Sequence, residues 1–587
     1  MRTTPQKHHK KPRHALVRIA AMICTAGLLA MPFHAALAAD YGQLRAENQG
    51  KLAEQHRFLP TIEQAVILTF GGLSRKIPLQ NLLERMKEGG MRGTFFVTER
   101  ELKRNADNLG LIRSYGQDLA IGLTPSEAGT YEDYCAQIER IRSALSERYG
   151  LQTNFLRIMS AGGNMEAMQE AASAMGCTLV GQGLNVVQSK HKEAQSPAEV
   201  MPDIFGKWTT SLNRGEIVYI RTDFYTSDTL AADMLTEIKK QKIDNITYLD
   251  PDLKSDAAKN DSAYHTASLQ DVEDRKEFLY RFPVDTKDLP PEMQPEYGTD
   301  WVSGENFRQA FYERYIGAPG VNDQDRMLGF SRTETIHGDK TGIIKNVGDN
   351  TIFLTFDDWG QDDSINQILY VLRKHKVHAT FFIITRNMLN NPNLLRAIAA
   401  DGNEIGSHTN NHSAMVKRDK KGHLLPVETP EEYTEDVRSS YPKLLSVLGD
   451  MRLENGRPAL TRLLRPPTLA VSRSGIQTIL NAGFTYIVNG SGSTEDYGAV
   501  SMQSLVGILN TLVHEKDGSV RRGSILIMHM SATAKRTPRA LDILLTANDL
   551  LPDGHPGKFK VGLLGDYLKD GYSQTMKQVP AALHAKK

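Results

Sequence analysis

The chain has 587 residues, 40% hydrophobic and 24% charged, the balance of ordinary globular protein and enough length for several domains. Its net charge of +1 falls to −5 without the first 38 residues, which hold six basic side chains and no acid. A near-neutral, slightly acidic chain has no global electrostatic grip on nucleic acid, so no such partner is expected.

Residues 1–38 read as a secretory signal peptide: basic to Arg18, apolar from Ile19 to Phe33, and closed by the A-x-A site Ala36-Leu37-Ala38. The apolar stretch is shorter than the roughly 20 residues of a membrane span, and no other segment is long and apolar enough. The expectation is an exported protein, in the periplasm, cell envelope or outside the cell, with no membrane span once the signal is cleaved. Cys135 and Cys177 remain beyond it, and their helix-like contexts favour separate buried thiols over a bridge.

After a lead-in over 39–60, Ala65-Val66-Ile67-Leu68-Thr69-Phe70 is a strand-like run ending in Gly71-Gly72. It echoes Thr351 to Asp358, and Gly93-Thr94-Phe95-Phe96-Val97 echoes Ala379-Thr380-Phe381-Phe382-Ile383, at one shared offset of 286 residues. Ala120-Ile121-Gly122 likewise matches Glu404-Ile405-Gly406, and Phe155-Leu156-Arg157 matches Leu463-Leu464-Arg465. A repeat of this length is a duplicated domain, not a solenoid unit. The first copy, 61–243, lacks the polar residues of the second. Gly71-Gly72 stand for Asp357-Asp358, Thr124 and Ala128 for His408 and His412, and Arg221 for His529. Only Arg157 keeps its counterpart, Arg465, so this copy is expected to bind no metal.

Residues 244–346 read as a linker and packing segment. Asp250 to Asp261 looks solvated, whereas Trp301, Phe307, Phe311, Tyr312 and Tyr315 lie near helical spacing and are read as core packed on the second copy. In that copy, 347–575, helix-like runs such as Ser364 to Lys376 alternate with apolar strands, the pattern of a parallel sheet covered by helices. A tail, 576–587, follows.

The polar residues of the second copy fall at or just past strand C-termini, where α/β folds place their sites. Asp357 and Asp358 end one strand; neighbours on a strand point to opposite faces, so the two carboxylates are expected to take different jobs. His408 and His412 are four residues apart, and one helical turn or a turn-like loop would put both rings on one side, a metal-ligand spacing. Alone, an Asp pair is as readily a helix cap, and a histidine ending a buried strand a structural one.

The ordered set Thr355-Phe356-Asp357-Asp358, His408-Thr409-Asn410-Asn411-His412, Arg465-Pro466-Pro467, Asp496-Tyr497 and the strand ending at His529 resembles the polysaccharide deacetylase (NodB-homology) family of carbohydrate esterases, over Thr351 to Leu568. The resemblance implies an irregular seven-stranded (β/α) barrel. The expected fold class is then α/β, with two tandem irregular (β/α) barrel deacetylase-like modules, the first lacking the metal site. It also implies Zn2+, or another divalent ion such as Co2+, on Asp358, His408 and His412, with Asp357 as base and His529 as the acid that protonates a departing amine. Arg465 would pair with Asp357 and hold it ionised, and Asp496 would bias His529 toward its charged form. The backbone N–H of Thr468, after Pro467, would stabilise the oxyanion. Trp359 and Tyr497 would join Thr468 and Pro467 in binding substrate.

Three positions depart from the family pattern: Trp359 where glycine is usual, Thr468 where an aromatic is usual, and Ser493 in place of an aspartate. The second copy is also 24 residues longer between its histidine and arginine motifs. The polar stretch Lys417 to Thr429 is read as that insertion, either a border of a sugar groove or a disordered surface loop. The implied activity is removal of N-acetyl groups from an amino-sugar polymer, peptidoglycan first, with chitin-like polymers and exopolysaccharide open. A non-haem iron oxygenase shares the ligand set but gives Asp357 and His529 no job; a non-catalytic glycan-binding protein is the other alternative.

Overall fold

The computed structural model describes residues 40–248, 261–285, 304–320 and 327–568, with Lys287, Leu289 and Met293. The segment read as a signal peptide, residues 250–260 of the stretch Asp250 to Asp261, Trp301 and the tail lie outside the described residues.

Two curled parallel sheets follow one another along the chain. The first contains β1 (Ala65–Gly71), β2 (Thr94–Val97), β3 (Asp118–Leu123) and β4 (Phe155–Ile158). It is completed by β5 (Thr178–Leu179), β6 (Leu184–Asn185), β7 (Ile217–Arg221) and β8 (His265–Ala267). Then come β9 (Tyr315–Ile316), β10 (Met327–Leu328), β11 (Thr351–Asp358), β12 (Thr380–Ile383) and β13 (Glu404–Ser407). Beyond them lie β14 (Val416–Arg418), β15 (Leu424–Pro426), β16 (Leu460–Leu464), β17 (Val471–Ser472) and β18 (Tyr486–Val488). The last three are β19 (Gly492–Ser493), β20 (Ile525–His529) and β21 (Lys560–Val561).

The first sheet runs β5-β4-β3-β2-β1-β7-β6, with β8 beside β1; the second runs β9-β18-β16-β13-β12-β11-β20-β19, with β21 beside β11. Among the described residues neither order closes on itself. Both sheets are curled and barrel-like but open at their edges, which fits the irregular α/β barrel-like fold expected. The short outer strands, two or three residues each, leave too few ladder bonds to join the edges.

The alternation along β11 fixes which side chains enter the curl. Ile352, Leu354 and Phe356 pack outward against the helices, while Phe353 joins an inner cluster with Phe382, Leu463, Val488 and Ile525. Asp357, on the same face as Phe353, therefore points inward. The helix Asp362–Lys374 buries Ile365, Ile368, Leu369 and Leu372, the face its spacing gives. Cys135 and Cys177 are buried free thiols, and burial pushes the Cys135 thiol up to about 11.

The segment 244–346 does more than link and pack. It gives β8 to the first sheet and β9 to the second, beside β18, while β10 pairs with β17 in a separate two-stranded sheet. Strands of two or three residues carry no usable period, so composition alone could not reveal them. Phe307, Phe311 and Tyr315 are core residues of the second unit, Phe311 stacking on Tyr315 at 5.0 Å. The stretch Lys417 to Thr429 is an ordered hairpin, β14 with β15, and not a disordered loop. No helix of the described residues is long and apolar enough to cross a membrane.

The two units are joined by buried polar contacts. Asn393 donates from Nδ2 to the carbonyls of Leu59 (2.9 Å) and Arg214 (2.7 Å), and its Oδ1 accepts from Thr61 N–H and the Tyr280 hydroxyl. Asp362, fully buried, accepts from Arg214 N–H and Tyr264 OH on Oδ1 and from Asn391 Nδ2 on Oδ2. Because each partner is buried, breaking one leaves the other unsatisfied, at a cost of about 1–3 kcal/mol.

Candidate metal centre and active site

β11 ends with a backbone turn that alternation does not foresee. Asp358 has φ 85°, in the left-handed region, and this turns its carboxylate back toward the side on which Asp357 lies. His408 Nε2 is accordingly 4.0 Å from Asp357 Oδ2 and 3.8 Å from Asp358 Oδ1. The two carboxylates, expected to take different jobs in one site, both lie near one histidine.

His408 and His412 sit on a loop after β13, not a helix, with Thr409 at φ 62° and His412 at φ 63°. Two backbone N–H groups, of Asn410 (2.9 Å) and Asn411 (2.5 Å), donate to Asp436 Oδ1 and hold the loop. His408 Nδ1 donates to the Arg465 carbonyl at 2.8 Å, which leaves the Nε2 lone pair facing Asp358 and His412. Burial lowers the pKa of His408, against the pull of Asp357, and so favours the neutral, ligating form.

One ligand atom each from Asp358, His408 and His412 lies within 4.8 Å of the others. Asp358 Oδ1 is 3.4 Å from His412 Nε2. Ligand bonds of about 2.0–2.1 Å in a tetrahedron separate donors by roughly 3.4 Å, so two nitrogens and one carboxylate at these spacings fit a zinc-like ion with a position left open.

Arg465 is fully buried and all its bonds are used inside the curl. It donates to Asp357 Oδ1 (2.6 Å), Thr355 Oγ1 (2.7 Å) and the carbonyls of Val488 and Asn489, with its guanidinium 4.2 Å over the Phe382 ring. Burial lowers the Arg465 pKa and Asp357 opposes the fall. His529 ends β20 directly opposite Asp357 in register. Its Nδ1 bonds Asp496 Oδ1 at 2.7 Å and its N–H donates to Asp496 Oδ2 at 2.9 Å. Burial works against charge on this ring, but the Asp496 bond and the charges of Asp357, Asp496 and Asp358 outweigh it and raise the His529 pKa.

Of the residues read as substrate-binding, Tyr497 is 54% exposed and meets His529 edge-on at 4.8 Å. Pro467 is buried and Thr468 exposed, in a turn where Thr468 has φ 59°. Trp359 is half-buried against the core. Sequence reading missed Asp436 and Thr537, the latter donating to Asp496 Oδ2 at 2.5 Å. Neither has a local motif; each is known only by what it supports.

At the corresponding tip of the first sheet, Gly71 faces Arg221 in register as Asp357 faces His529. A Cβ on Gly71 would lie 2.5 Å from Met159 Cε and 2.6 Å from the Tyr219 hydroxyl. Arg157 stacks 3.7 Å over the Tyr219 ring. That space is filled by the protein's own side chains.

Residues 344–487 match the family model described as polysaccharide deacetylase. Over 224 residues the chain is 26% identical to a chitooligosaccharide deacetylase of Bradyrhizobium sp. (strain ANU 289), covering 35% of this chain and 89% of that one. A chitooligosaccharide deacetylase of Sinorhizobium fredii is 29% identical over 185 residues, 31% of this chain and 73% of the relative. A peptidoglycan-N-acetylglucosamine deacetylase of Bacillus cereus is 26% identical over 178 residues, 30% and 55%. A crystal structure of a peptidoglycan N-acetylglucosamine deacetylase aligns at 22% identity over 38% of this chain and 89% of that one, with a TM-score of 0.29. Residues 344–487, which hold most of the second sheet, are therefore a polysaccharide deacetylase domain within this chain.

Proposed function

We propose that the protein is an exported, metal-dependent deacetylase that hydrolyses N-acetyl groups of an amino-sugar polymer, with peptidoglycan the preferred substrate. Its relatives are chitooligosaccharide and peptidoglycan deacetylases. Export rests on the signal-like segment 1–38. The observation that carries the reading is the grouping of Asp358, His408 and His412 beside two separately supported polar groups, Asp357 on Arg465 and His529 on Asp496.

Zn2+ held by Asp358, His408 and His412 would make a water more acidic and polarise the amide carbonyl. Asp357 accepts the water proton on Oδ2, since Oδ1 is taken by Arg465. His529, charged through Asp496, gives the proton on Nε2 to the amide nitrogen as the C–N bond breaks, and the products are acetate and a free amine. Thr468 N–H, presented by the turn after Pro467, donates to the developing oxyanion. Tyr497 lines the rim beside His529, and Trp359 and Pro467 shape the mouth. The first sheet unit is read as a degenerate copy of the same module, carrying no metal.

The test is acetate release from chitooligosaccharides and from intact peptidoglycan by the zinc-loaded protein. Asp357→Asn is expected to lose activity by about 10²–10⁴-fold with metal retained. Equal release by the variant and the parent would overturn the assignment of the base.

A further inference from the structure

We infer that the first unit builds part of the substrate cleft of the second, with Trp208 as a stacking platform for a sugar unit of the polymer away from the acetyl group being removed. The proposal takes its substrate class from the deacetylase reading.

Gln361 lies three residues beyond Asp358, a chain distance of at most about 11 Å. The turn between them is tight: a Cβ on Gly360 would lie 2.3 Å from the carbonyl of Met530, the residue after His529. Gln361 is thus at the rim of the site, beside both catalytic strand ends. Its side chain is bonded to the first unit. Oε1 accepts from Thr210 N–H (2.8 Å), Thr210 Oγ1 (2.8 Å) and Ser211 N–H (3.3 Å), and Nε2 donates to the Trp208 carbonyl at 2.6 Å. Asp362 and Asp363 continue the contact through Arg214 N–H and Ser211 Oγ. The loop 208–214 is therefore fixed against the rim, and a fixed loop loses little freedom on binding.

Trp208 on that loop is 86% exposed, more than any other large apolar side chain among the described residues. A lone exposed apolar residue is unremarkable; its placement is what matters. Only three aromatic side chains among the described residues are exposed: Trp208, Tyr497 and Tyr567. Tyr497 meets His529, the Trp208 carbonyl is bound by Gln361 at the rim, and Tyr567 packs on Phe353 at the inner cluster. A flat aromatic face in solvent suits the apolar C–H face of a pyranose.

The experiment is calorimetric binding of N-acetylglucosamine oligomers, from disaccharide to hexasaccharide, and of peptidoglycan fragments to the full-length Asp357→Asn protein with and without Trp208→Ala. Acetate release is followed in parallel in the parent background. Trp208→Ala is expected to weaken binding of the longer glycan about tenfold, leave the disaccharide unchanged, and raise KM without lowering kcat. Trp208→Phe should restore most of the loss. Chain-length-dependent loss of binding with no acetate release by the parent would leave the platform standing and refute the deacetylase reading. Unchanged binding of long glycans by Trp208→Ala, or no binding of any glycan by the Trp208-containing protein, would overturn the platform.

Discussion

The tips of β1 and β11 occupy the same place in sheets of the same strand order, yet one ends in Gly71-Gly72 and the other in Asp357-Asp358. The backbone turns alike at both, with φ 72° at Gly72 and 85° at Asp358. At glycine this turn is free; at aspartate it costs about 1 kcal/mol. The second tip therefore holds a carboxylate in place at a cost in strain that the glycine of the first tip does not carry. The paired arginines teach a second lesson. Arg157 donates to the Gly181 carbonyl after β5, as Arg465 donates to Val488 and Asn489 at the end of β18. An arginine that remains where no carboxylate is left to pair is first a brace across the curl, and Arg465 adds the Asp357 contact to that duty.

The sharpest way to break the comparison is to remove a ligand from the second tip. His408→Ala is expected to reduce bound zinc from one per chain to none and take deacetylation to background, measured by metal analysis of the dialysed protein. Metal persisting at one per chain would place a site in the first unit. The converse change tests whether the first tip can be rebuilt. Gly71→Asp with Gly72→Asp should acquire no second metal and should lose about 1–3 kcal/mol in denaturant unfolding. A Cβ at Gly72 meets Asp223 Oδ1 at 2.1 Å, so the inserted side chains have no room. A second equivalent of zinc would show a latent site there.

The mildest change concerns pH. In the proposed mechanism the acid form of His529 is the working one, and its raised pKa keeps that form present until pH climbs through it. Asp496→Asn removes the bond and charge that oppose burial, so the pKa falls and the alkaline limb of kcat/KM moves to lower pH. An unmoved limb would assign it to a different group.

The sequence by itself determined the parallel α/β character, the doubled pattern at an offset of 286 residues, and the candidate ligands Asp358, His408 and His412. These were legible because apolar runs and the polar residues at their ends are local. Only the tertiary structure decided that the sheets stay open, that strands of two or three residues from 244–346 join them, and that Asp358 turns back toward Asp357. It alone showed Asp436 and Thr537 beneath the site and set the loop carrying Trp208 against Gln361. Contacts between residues more than a hundred positions apart leave no periodic trace in a chain, because each is fixed by packing and not by its neighbours in sequence.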